Sequence, residues 1–145
     1  MINLADGSVM GSKALTECGV EVTTCVKAFD SLPDTFFFGI TNEQQNLFAF
    51  KIWTQTSCFY TQNAHSSPIT CFEYVKIDNK DILFTGSKDG YIKAWLLETK
   101  NDLTCVIQEH IQAPVNCMTL ISPTILAAGL DNGYIYQWEI AQNSK

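Results

Sequence analysis

Thr85-Gly86-Ser87-Lys88-Asp89-Gly90-Tyr91-Ile92-Lys93-Ala94-Trp95 reads as the end of one strand, a tight turn and the start of another. Asp89-Gly90 tolerates positive φ and marks a two-residue hairpin turn. Tyr91 to Leu97 is rich in aromatic and β-branched residues, which suit a pleated, half-buried surface. The same pattern returns 43 residues later as Ala128-Gly129-Leu130-Asp131-Asn132-Gly133-Tyr134-Ile135-Tyr136-Gln137-Trp138. Ile82 to Thr85 and Ile125 to Ala128 precede the two turns as short apolar runs, as strands buried on both faces require.

Working outward, other markers keep nearly the same step. Trp53, Trp95 and Trp138 are 42 and 43 residues apart, and Cys25, Cys71 and Cys117 are 46 and 46 apart. His65 and His110 each precede a proline and then the repeated cysteine. Self-similarity at a fixed period of this size is the mark of a repeat architecture. No window of 11 or more residues carries a helical period. Strands are therefore predicted at 22–29, 36–40, 47–53 and 57–61, at 69–75, 82–87, 91–97 and 104–109, and at 115–121, 125–129 and 134–140.

The run from Gly86 to Trp95 resembles the WD-repeat (WD40) β-propeller family, whose repeats run about 40–45 residues with four strands to a blade. The resemblance covers residues 19 to 140, strongest in the second repeat and weakest in the first. It implies an all-β partial propeller of three four-stranded antiparallel blades plus an N-terminal strand remnant. The units are 1–18 (outer strand of an adjacent blade), 19–64 (a degenerate repeat), 65–109 (a repeat) and 110–145 (a repeat lacking its outer strand). It also implies a buried structural tetrad of His65, Thr85, Asp89 and Trp95, echoed by His110, Asn132 and Trp138. Such a chain satisfies itself, because indole only donates, carboxylate only accepts, and imidazole and hydroxyl do both. In the third repeat Ala128 stands where the hydroxyl belongs and Asn132 replaces Asp. In the first, Gly19 stands at the His position, Phe38 at the Thr position, and Thr41 to Asn46 lengthens the turn.

Three blades and a remnant fall short of the about 4–8 blades of a closed ring. The expected remedies are another chain, a second copy of this one, or a longer parent chain. The 145 residues carry 9 Lys and no Arg against 15 Asp plus Glu, a net charge of −6. Gripping phosphates needs a basic face, so neither nucleic acid nor a membrane is expected as a partner. No signal-peptide pattern opens the chain, and a cytoplasmic or nuclear location with reduced thiols is expected.

The chemistry-bearing residues find a structural use. No Cys-x(2–4)-Cys knuckle is present, so no metal is expected, and the repeated cysteines read as small core hydrophobes. No Gly-x-Ser-x-Gly or Gly-x-Gly-x-x-Gly occurs, leaving no nucleophile motif and no cofactor motif. Asp78 and Asp81 read as solvated turn residues, and Phe36-Phe37-Phe38 as a buried strand. Function then falls to the loops of a rigid scaffold. The turns that the resemblance points to place Ser67, Thr70 and Lys88 in the second blade and Asn116 and Asp131 in the third as partner-binding residues. Asn42-Glu43-Gln44-Gln45-Asn46 is their analogue in the first. The expectation is a non-catalytic protein–protein interaction scaffold, working through blade loops and open blade edges. The alternatives are a permanent structural subunit completing a propeller and, more remotely, an enzyme on a propeller scaffold.

Overall fold

The computed structural model describes residues 22–42, 47–54, 58–61, 63–99 and 102–140. The N-terminal remnant expected at 1–18 and the turn residues 43–46 lie outside them. Eleven strands follow in chain order: β1 Val22–Phe29, β2 Leu32–Asn42, β3 Leu47–Thr54, β4 Cys58–Thr61, β5 Ile69–Ile77, β6 Lys80–Ser87, β7 Tyr91–Thr99, β8 Asp102–His110, β9 Val115–Ser122, β10 Ile125–Leu130 and β11 Ile135–Glu139. They form three antiparallel meanders, β1-β2-β3-β4, β5-β6-β7-β8 and β9-β10-β11. The partial β-propeller expected from the sequence is borne out, and among the described residues the third sheet has three strands.

Alternation along the strands decides what each sheet buries. On β2, Phe37 and Phe38 are buried on opposite faces, whereas Phe36 is 44 % exposed. Phe37, Phe50 and Ile52 of the first sheet meet Phe72, Tyr74, Leu83 and Trp95 of the second. On the second sheet's other face, Val75, Phe84, Ile92 and Ala94 meet Val115, Met118, Leu126 and Leu130 of the third. At each seam a tryptophan meets a phenylalanine of the preceding sheet edge-on. Trp95 meets Phe50 at 5.3 Å and 70°, and Trp138 meets Phe84 at 5.7 Å and 78°. Such tilted pairs satisfy the ring quadrupoles as well as burying area.

The inner strands are tied by a feature that repeats with the chain. Thr24 Oγ1 donates to the Ile69 carbonyl at 2.6 Å, and Thr70 Oγ1 donates to the Val115 carbonyl at 2.6 Å. Beside these threonines, Cys25, Cys71 and Cys117 stand across the ladder from Gly39, Gly86 and Gly129. A Cβ on any of these glycines would stand within 3.0 Å of the facing sulfur, so the thiol occupies the space glycine leaves. The cysteines are less buried than the expected core hydrophobes. Cys25 and Cys71 are half-buried, and Cys105 and Cys117 are exposed. The repeat position is covered only where a further sheet lies over it, and none lies over Cys117 among the described residues.

Two turns differ from their sequence reading. The β6–β7 loop is three residues, Lys88 to Gly90, with Gly90 N donating to Ser87 O at 3.2 Å. Only Gly90 has positive φ there, at 81°. Asp89 keeps ordinary φ, which frees its carboxylate to reach sideways. The two-residue turn with positive φ at both positions occurs at Asp78-Asn79 instead, with φ of 49° and 62°.

Candidate functional site

The structure brings His65, Thr85, Asp89 and Trp95 together. Thr85 sits on β6 with no exposure, and Trp95 on β7 is 7 % exposed. Trp95 Nε1 donates to Thr85 Oγ1 at 2.9 Å, and Thr85 Oγ1 lies 2.7 Å from His65 Nε2. His65 Nδ1 lies 2.9 Å from Asp89 Oδ2. Indole can only donate, so the threonine hydroxyl proton goes to Nε2 and the imidazole proton sits on Nδ1, facing the carboxylate. Every polar atom in the line is then satisfied with a neutral imidazole. Asp89 also accepts from the backbone N–H groups of Ser66 and Tyr91, at 3.0 and 2.9 Å. The line therefore clamps the segment before β5 to the β6–β7 turn.

The charges follow from this geometry. Burial pushes the His65 imidazole below its ordinary value, and the Asp89 carboxylate opposes that shift only in part. Burial alone would raise Asp89, but the imidazole and the two backbone donors outweigh it and hold the carboxyl well below its usual range. Both shifts have the same sign in stability. For His65, stability is complete above the ordinary value of about 6.5 and falls as the pH drops through it, because the unfolded chain takes the proton first. For Asp89, stability is complete above about 3.9 and falls below it. Melting temperature is expected to decline in two steps on acidification. Asp89→Asn should remove the lower step, and a variant that keeps both steps would contradict the assignment.

The third sheet does not repeat this line. Ala128 has no hydroxyl to link imidazole and indole. Asn132 Oδ1 instead accepts from its own turn, at Tyr134 N, 3.2 Å away. Trp138 is half-buried against Phe84. His110 is exposed and stacks on Tyr91, with centroids 4.5 Å apart and planes 23° apart. Without the central hydroxyl, the histidine has no buried acceptor and turns to the surface.

The five residues expected on the loop face separate into two groups. Thr70 spends its hydroxyl on the seam, donating to Val115 O and Gly86 O. Ser67 is half-buried, and its carbonyl accepts from Ser87 Oγ at 2.9 Å. Lys88, Asn116 and Asp131 are exposed. Lys88 N donates to Pro68 O at 3.1 Å and Asp131 N donates to Pro114 O at 2.9 Å. These bonds fix the two turns against the segments before β5 and β9 in the same way. Asn116 Nδ2 lies 3.4 Å from Asp131 Oδ1.

Other reactive groups are engaged or suppressed. Burial pushes the Cys71 thiol up to about 12, which removes its nucleophilic thiolate at neutral pH. Asp81, read as a solvated carboxylate, accepts from Tyr74 Oη at 2.5 Å and pairs with Lys76 at 3.3 Å. Among the described residues no group of three or more His, Cys, Asp or Glu is placed to hold a metal ion. Sequence reasoning missed the Thr24 and Thr70 seam bonds and the Lys93 ammonium, which donates to Ala64 O at 2.7 Å. A threonine before the repeated cysteine, at 24 and again at 70, was the available signal for the first.

Comparison with known proteins agrees with this architecture. Residues 56–95 match the family described as WD domain, G-beta repeat. Over 95 residues the chain is 34 % identical to the Periodic tryptophan protein 2 homolog of Dictyostelium discoideum, covering 62 % of this chain and 10 % of that protein. A chain in the crystal structure of the Chaetomium thermophilum polycomb repressive complex 2 superposes with a TM-score of 0.57 at 16 % identity, covering 83 % of this chain and 27 % of that one. The chain thus spans about a tenth of the curated relative and about a quarter of the solved chain. The resemblance to WD-repeat proteins is borne out.

Proposed function

We propose that this WD-repeat chain is a non-catalytic scaffold that binds other proteins through its loop face and open blade edges. The observation that carries the reading is the pair of turns held alike by Lys88 N to Pro68 O and Asp131 N to Pro114 O. Two turns fixed against the sheets present exposed Lys88, Asn116 and Asp131 with little motion left to lose on binding. One blade offers a cation and the next an anion, which suits a protein surface of mixed charge better than a polyanion. His65, Thr85, Asp89 and Trp95 are consumed in holding the turn, which supports a structural rather than catalytic use for them. The free thiols of Cys25, Cys71, Cys105 and Cys117 support the cytoplasm or nucleus as its location.

Replacing Lys88, Asn116 and Asp131 together with alanine is expected to reduce capture of partners from native lysate by at least tenfold, with melting temperature unchanged. Affinity capture followed by mass spectrometry measures both the loss and the identity of what is lost. Undiminished capture by the triple variant would count against this face.

A further inference from the structure

Asn132 is the only asparagine of the chain that precedes a glycine. Asn132-Gly133 lies in the turn between β10 and β11, at the place Asp89-Gly90 takes in the second sheet. Both residues are exposed, and no heavy atom lies within 4 Å of where a Cβ on Gly133 would stand. Every other asparagine precedes a residue with a Cβ, which screens the next peptide nitrogen. The turn adds what the dipeptide alone lacks. Asn132 Oδ1 accepts from Tyr134 N at 3.2 Å, so the side chain curls back over the Gly133 peptide. This brings its amide carbon toward the Gly133 nitrogen, and the Tyr134 N–H draws electrons from the same carbonyl. One bond opposes an attack by that nitrogen: Gly133 N donates to Leu130 O at 3.1 Å. It belongs to an exposed turn with open space around a glycine at φ of 86°, so it opens without disturbing the core.

We propose that Asn132 is a site of spontaneous covalent modification, in which the Gly133 nitrogen attacks the Asn132 amide carbon and the loop face gains a carboxylate. The bond from Gly133 N to Cγ forms and the bond from Cγ to the amide nitrogen breaks. That nitrogen leaves as ammonia, taking the proton of Gly133 N. Water then opens the ring. Attack at Cγ leaves an ordinary aspartate, and attack at the main-chain carbonyl carbon leaves a β-linked one. Water is the one co-reactant. Either product makes the chain one unit more negative than −6 and sets a second carboxylate beside Asp131. The β-linked product also adds a methylene to the main chain, inside the turn that Leu130 N closes on Tyr134 O at 2.9 Å. The chemistry stands apart from the loop-face reading, and only the meaning of the added charge for a partner rests on it.

Incubating the full chain at mildly alkaline pH and body temperature, then mapping it by proteolysis and mass spectrometry, tests this. Asn132 should gain one mass unit in most copies. Asn63 and Asn79 are exposed as well but precede alanine and lysine, and they should convert at least tenfold less. Asn132→Gln should abolish the gain, because its longer side chain has to close a larger ring, and the exposed position leaves the fold intact. Ion-exchange retention of the incubated parent chain should move to that of Asn132→Asp. An amide that persists at 132 in the folded chain overturns the proposal. If the chain unfolded in urea converts under the same conditions, the bond to Leu130 O is what holds the nitrogen back. Conversion at Asn63 or Asn79 as fast as at Asn132 overturns it too. Partner capture plays no part in this experiment, so the loop-face reading and this one fail separately.

Discussion

Trp95→Ala is expected to cost about 3–5 kcal/mol, enough to leave much of the chain unfolded at 37 °C. The indole is 7 % exposed and packs in the seam between the first and second sheets, edge-on to Phe50. Deleting it removes a large apolar surface and leaves a cavity that β6 cannot collapse to fill, because Leu83 is fully buried. The polar loss adds to the apolar one. Thr85 Oγ1, which has no exposure, loses the Nε1 donor. His65 then depends on a hydroxyl no longer oriented from behind. Trp138→Ala is the control. It is half-buried, belongs to the third sheet and has no threonine at position 128 to bond. Its loss should be about half as large, as a smaller buried area implies. Urea midpoints of the two variants measure the difference. Equal losses would mean that the polar line at Thr85 contributes little.

How much of this was legible in the sequence depends on whether the signal lies in side chains near one another along the chain. The Asp89-Gly90 and Asn132-Gly133 pairs mark their turns, and the apolar runs around Leu83 and Leu126 mark their strands, because alternation and turn chemistry act within a few residues. The contact of His65 with Thr85 spans 20 residues and no local pattern announces it. It was legible through the family resemblance alone. For the Thr24 and Thr70 bonds only the donors left a signal, as a threonine repeated before the cysteine; their acceptors are main-chain carbonyls that carry no side-chain signature. The β6–β7 turn was read as two residues because Asp-Gly suits two turn types and the sequence does not say which. Exposure was hardest. Cys71 and Cys117 have the same repeat position, yet one is half-buried and one exposed. What separates them is whether a neighbouring sheet lies over the position.

The same asymmetry sets the last expected result. Gly86→Ala should cost about 1–3 kcal/mol, whereas Gly129→Ala should stay within about 0.5 kcal/mol. Neither glycine has positive φ, so backbone strain does not separate them. What separates them is the room for a methyl group. At Gly86 it would stand 2.7 Å from Cys71 Sγ, 2.7 Å from Val115 Cγ1 and 3.3 Å from Met118 Sδ. Val115 is fully buried and β-branched, with a restricted χ1 and a carbonyl held by Thr70. It cannot turn away without opening the seam between the second and third sheets. At Gly129 only Cys117 Sγ lies close, at 2.8 Å, and that thiol is exposed and free to rotate. The lower chain entropy of alanine in the unfolded state offsets what remains. Val115→Ala in the Gly86→Ala background should recover part of the loss, because it removes the clashing methyl, and the double-mutant cycle measures the coupling. Equal costs at the two glycines, or no coupling between 86 and 115, would show that the seam between these sheets is not packed at the inner strands as described.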